Sequence, residues 1–126
     1  MYKYSKRSLD KLSECAEPLK ILANEVIKRS EIDFGIICGH RSDEEQLIKF
    51  NSGLSKARPG KSGHNKKPSK ALDFGIYVKG VYQNGDTKEE LVLYKKVNDL
   101  FHVVALEMNI KIKKGISWDL GHIELV

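Results

Sequence analysis

Cysteine, proline and tryptophan are scarce in this sequence, with two, three and one of each, and each scarcity removes a class of explanation. Cys15 and Cys38 fall on different predicted elements and form no C-x-x-C pair, so no disulfide framework is read and two reduced, partly buried thiols are expected. Long apolar runs are missing too. None approaches the roughly 20 residues that cross a bilayer, which argues against a helical span and against stable membrane insertion. The opening Met1-Tyr2-Lys3-Tyr4-Ser5-Lys6-Arg7 is basic, yet no apolar stretch or small-residue cleavage site follows, so no signal peptide is read and synthesis in the cytoplasm is expected. No internal repeat, helix-turn-helix pattern, basic helix face or aromatic-and-basic strand platform is present, which speaks against nucleic acid as a partner.

What is there suits a single folded unit. A chain of 126 residues, 40% apolar and 31% charged, is long enough to bury a core without disulfides, so one domain over 1–126 with no separate wall-binding domain is expected. A monomer is the expected state. The 22 Lys and Arg outnumber the 17 Asp and Glu, giving a net charge of +5. That surplus favours approach to a polyanion, for which nucleic acid, anionic lipid and anionic cell wall all qualify on charge alone.

Along the chain, Leu9, Leu12, Cys15, Leu19, Leu22, Val26 and Ile27 trace a helical stripe that Pro18 divides into two helices. Phe34 to Cys38 reads as a buried strand. Ser42 and Glu45 then form a capping box that opens a helix to about Phe50, with Leu47 and Phe50 turned inward. Residues 51–70 are rich in Gly, Ser, Lys and Pro and read as a loop, its Lys56 to Lys70 portion a solvated basic face or a segment anchored by a metal at His64. Ala71 to Val78 is a strand, Gly80 to Gly85 a turn at a hairpin tip, and Thr87 with Glu90 caps a long amphipathic helix through Leu91, Tyr94, Val97, Phe101, Val104, Ala105 and Met108. Ile110 to Lys113 and His122 to Val126 are short strands. Strands and helices without regular alternation predict an α+β fold, a small, largely antiparallel sheet with helices packed on one face.

Chemistry concentrates in two stretches. In Ser62-Gly63-His64 a loop histidine precedes Asp73 by nine residues, and in Trp118-Asp119-Leu120-Gly121-His122 a carboxylate stands three residues before a second histidine. His64, Asp73 and His122 make a two-histidine, one-carboxylate set. Zinc in hydrolases takes such a set, keeps one position open for water and lowers that water's pKa to about 7, although iron, manganese and cobalt accept the same ligands. Asp119 is placed to act as general base. Arg41, at the end of the first strand, reads either as a cation facing the cleft to stabilise an oxyanion or as a surface ion-pair residue. Trp118 is a core anchor or a cleft wall, Glu124 shares a strand face with His122 as its supporting partner, and His102 on the apolar helix is a packed side chain.

These residues resemble a known family. Ser62-x-His64 with Ala71-x-Asp73, and Asp119-x-x-His122-x-Glu124-Leu125, are similar to the SxH…AxD and DxxHxEL patterns of zinc peptidases related to D-alanyl-D-alanine carboxypeptidases. Tyr4-Ser5-Lys6-Arg7-Ser8-Leu9 and Gly39-His40-Arg41-Ser42-Asp43-Glu44-Glu45-Gln46 resemble the phage endolysins of the L-alanyl-D-glutamate peptidase type. The resemblance runs over nearly the whole chain. It implies Zn2+ held by His64, Asp73 and His122 in a cleft at the sheet, Asp119 and Arg41 as catalytic residues, Ser62 and Trp118 as substrate contacts, and a peptidoglycan stem peptide as substrate. It departs in carrying Lys66, Lys67 and Pro68 where relatives have glycine, and in His40. A carboxypeptidase trimming terminal D-Ala and a non-catalytic polyanion-binding module are the alternatives. In a lytic cycle the enzyme would accumulate in the host cytoplasm and reach the wall, in the periplasm, once the membrane is opened.

Overall fold

The computed structural model describes residues 1–55 and 57–126; Lys56, at the head of the predicted basic loop, lies outside them. Among the described residues four helices and four strands follow in the order α1 (Lys6–Leu12), α2 (Glu17–Arg29), β1 (Asp33–Cys38), α3 (Asp43–Asn51), β2 (Ala71–Val78), β3 (Val81–Gln83), α4 (Lys88–Glu107) and β4 (His122–Glu124), with a 3-10 turn at Gly63–Asn65. Pro18 sits in the first turn of α2, where its missing N–H costs nothing, and so separates α2 from α1. Both capping boxes form, Ser42 with Glu45 and Thr87 with Glu90, each satisfying two backbone N–H groups that a helix start leaves without partners.

The sheet is antiparallel and centred on β2. One side of β2 carries β1. The other carries β3 against Ile76–Val78 and β4 against Ala71–Asp73. Alternation assigns Phe34, Ile36, Leu72, Phe74 and Ile76 to the buried face, where they meet Leu19, Leu22 and Val26 of α2 and Val97, Phe101 and Val104 of α4. Phe74 lies at the centre of this core, stacked on Phe101 at 5.4 Å and on Tyr94 at 5.7 Å, with Phe34 edge-on at 5.8 Å. Tyr94 is buried, so its hydroxyl needs partners and has two, donating to the Gln83 carbonyl at 2.6 Å and accepting from Ile76 N–H at 3.3 Å.

Several sequence expectations shift. Leu9 and Leu47 are 49% and 45% exposed, while Gln46, just before the first expected inward position of its helix, is fully buried. The hairpin tip is Lys79-Gly80, both with positive φ, and Asn84-Gly85 follows β3 instead. The expected strand at Ile110–Lys113 reduces to one bridge, Ile112 to Leu125, and β4 ends at Glu124. Register decides the site. A bulge between Ile36 and Cys38 sets Cys38, not Ile37, across from Asp73, whose other neighbour across the ladder is His122.

Candidate metal centre

Asp73 is the hub. Its Oδ1 receives His122 Nδ1 at 3.0 Å and His64 Nε2 at 3.2 Å, and its Oδ2 receives Arg41 Nη2 at 3.3 Å. Strand pairing places His122 beside it; the 3-10 turn places His64. Ser62 accepts the His64 N–H with its hydroxyl, Asn65 ties the turn to the Arg41 carbonyl at 2.7 Å, and Arg41 N–H donates to the His64 carbonyl at 2.8 Å. Gly63 has a steric reason: a Cβ there would lie 2.6 Å from the Glu124 carboxyl carbon.

The remaining ring nitrogens fix the tautomers. His64 Nδ1 faces the Gly39 carbonyl at 2.6 Å and His122 Nε2 faces Glu124 Oε1 at 2.8 Å. These partners and Asp73 all only accept, so each charged ring donates at both ends, and a ring that keeps its outer hydrogen bond on losing a proton frees the nitrogen facing Asp73. Lys113 grips Glu124 at 2.6 Å from behind. Among the described residues no buried side-chain polar atom lacks a partner.

Charge is focused accordingly. Burial works against charge on His64, but hydrogen bonds to Asp73 and Cys38 outweigh it and raise its pKa to about 10. His122 follows the same balance, burial opposed by Asp73 and Glu124, and reaches about 9. Burial would raise Asp73, yet the two imidazoles hold it well below the carboxylate range. Burial is likewise overcome at Glu124, lowered to about 2 by His122 and Lys113. Asp119 goes the other way: burial and then the charge of Asp73 raise it, giving a carboxylate more basic than usual beside the cluster.

Among the described residues two trios of candidate ligands share Asp73, namely Cys38, His64 and Asp73, and Asp73, Asp119 and His122, with ligand atoms in each within 4.8 Å. The His64 and His122 rings lie 5.0 Å apart. The two histidines fall in different trios and meet through Asp73 Oδ1; as a donor set, two imidazoles and a carboxylate with both distal nitrogens supported suit zinc. Beside them opens a cleft of about 270 Å³ lined by Asp73, Asp119, Tyr82, Tyr94 and Trp118. Trp118, at 66% exposure, stands on its rim and not in the core.

The sequence profile of the phage L-alanyl-D-glutamate peptidase family matches residues 1–125. The chain belongs to that family. It is 27% identical over 141 aligned positions to the L-alanyl-D-glutamate peptidase of Escherichia phage T5, covering 99% of this chain and 98% of the relative. Its fold is similar to the crystal structure of the Serratia marcescens L-Ala D-Glu endopeptidase ChiX, with a TM-score of 0.80 and 21% identity over 98% of this chain and 90% of the other.

In this family member the structure brings together all of His64, Asp73, His122, Asp119 and Arg41. Two neighbours escaped the sequence reading. Cys38 reaches the cluster, its Sγ 3.8 Å from His64 Nδ1, through a bulge that no residue pattern announced. Gln46 holds Arg41 at 2.7 Å while donating to Ser55 and to the Ala57 carbonyl. Gln46 closes the family-like stretch from Gly39 and follows the helix cap by one turn on the side of Arg41, signals that marked its place and not its role. Ser62 spends its hydroxyl on the His64 turn, and His40 donates its backbone N–H to Glu14.

Proposed function

We propose that this peptidase is a zinc-dependent endolysin that hydrolyses the L-Ala–D-Glu bond of the peptidoglycan stem peptide during host lysis. The observation that carries the reading is the convergence of His64 Nε2 and His122 Nδ1 on Asp73 Oδ1 beside a basic Asp119, in a chain of this family. His64, Asp73 and His122 hold the metal, which when bound supplies a Lewis acid that acidifies water and polarises the scissile carbonyl. Asp119 accepts the proton of the attacking water and returns it to the departing amine of D-Glu. Arg41, fixed by Gln46 and Asp73, offers positive charge to the developing oxyanion. Trp118 on the rim packs against the peptide, and Ser62 keeps the His64 turn in place. Residues 1–126 act as one catalytic unit, the basic surface serving for approach to the wall.

Digestion of purified peptidoglycan by the zinc-loaded protein tests this. New amino groups on D-Glu are expected. Release of free D-Ala in their place would support the carboxypeptidase alternative and overturn the assignment.

A further inference from the structure

The helices cover one face of the sheet, and the other face is not bare of design. On it lie Asp33, Gly35 and Ile37 of β1, Asp73, Gly75 and Tyr77 of β2, and Tyr82 of β3 opposite Tyr77. Gly35 and Gly75 are direct partners across the two strands. Neither position has room for a side chain: a Cβ on Gly35 would lie 2.7 Å from Ser8 Oγ, and one on Gly75 would lie 2.5 Å from the Tyr82 ring. A cavity of about 600 Å³ lies on this face, bordered by Gly35, by Tyr77 and Tyr82 with rings 5.5 Å apart, and by Lys3 and Arg7. Ile37 and Tyr82 border both this cavity and the smaller cleft at Asp73 and Asp119, so the two adjoin at these side chains, and a peptide passing over the Tyr82 edge would reach from the metal centre to the N-terminal segment.

The charge at the far end is unspent. Lys3 and Arg7 are exposed, and among the described residues neither has an ion-pair partner, unlike Lys6 beside them, which pairs with Asp10. Asp33 is the one acid on the wall, against two cations.

We infer that this groove extends the substrate cleft and that Lys3 and Arg7 bind a carboxylate of the acidic, D-Glu-side half of the peptide, a reading that rests on the proposed cleavage. A D-Glu acylated on nitrogen by L-Ala keeps one carboxylate free whichever of its carboxyls carries the chain onward, and the chain end supplies another. The L-Ala side offers no such charge. A guanidinium matches a carboxylate in two parallel hydrogen bonds, and the ammonium of Lys3 adds a second attraction. Ser8 and the Tyr82 ring already fill the space over the glycine pair, so the groove's walls are the Tyr77 and Tyr82 rings and not the sheet backbone.

The test uses the zinc-loaded full chain, wild type and the Lys3→Ala/Arg7→Ala double variant, on two soluble peptides containing L-Ala–D-Glu. One carries free carboxylates on the D-Glu side and the other carries primary amides there. For the wild type, amidation is expected to raise KM about tenfold with kcat changed less than about twofold, as two exposed charge contacts allow. The double variant should show the raised KM on the acidic peptide, indifference to amidation, and an unchanged melting temperature. Equal wild-type KM on both peptides, or wild-type discrimination surviving in the double variant, overturns this inference while leaving the cleavage reading intact. A wild type that cuts neither peptide overturns both.

Discussion

Each residue at the centre has a separable task. Replacing Asp119 by Asn keeps the shape but removes the base, so kcat should fall about 10²- to 10⁴-fold while zinc content stays at the wild-type level; a loss of metal instead would make Asp119 a ligand. Glu124 supports His122 from behind, and Glu124→Gln should weaken zinc affinity by about 10- to 100-fold in a chelator competition. Protons compete with the metal. In the metal-free protein His64 and His122 are protonated below about 10 and about 9, and Asp73 stays ionised throughout the working range. Two protons must leave before two lone pairs are free, so zinc affinity should drop by about two decades per pH unit as pH falls from 8 to 6. A flat profile over that range would contradict the coupling.

The elements show how much could be read in advance. Capping boxes, Pro18 and the stripe of α4 are local signals, written in neighbouring residues, and they appear where the sequence places them except at Leu91, which is 46% exposed. That His64, Asp73 and His122 meet was legible because their spacing resembles a known pattern. Register was not. Cys38 meets Asp73 through one extra residue in β1, and Gln46 is buried because the nearby Arg41 guanidinium and the loop at Ser55 and Ala57 saturate its amide; neither the bulge nor the loop contact has a local signature. The exposed Leu9 and Leu47 show the converse, apolar residues at helical spacing that no second layer covers. Element stability should follow the local signals: Thr87→Ala removes the α4 cap and should cost about 1 kcal/mol in urea unfolding without touching activity at saturating substrate.

At the scale of the molecule, the sheet divides labour between its faces. One face carries the core against α2 and α4, and the other carries Asp73 and the cavities beside it. The net charge of +5 acts over the whole surface. Raising ionic strength from about 0.01 M to about 1 M shortens the screening length from about 30 Å to about 3 Å. Lysis of a wall bearing many carboxylates should slow several-fold over that range, whereas turnover of a saturating soluble peptide should change less than about twofold. Equal salt sensitivity of both would place the effect in the site and not in approach. The central claim is narrower: three side chains from a turn and two strands hold one metal ion. Zinc counted per chain after exhaustive dialysis, for the wild type beside His64→Ala and His122→Ala, addresses it most directly. One zinc in the wild type and almost none in either variant is the expected result; a fully active wild type without metal, or a zinc that both variants retain, would contradict it.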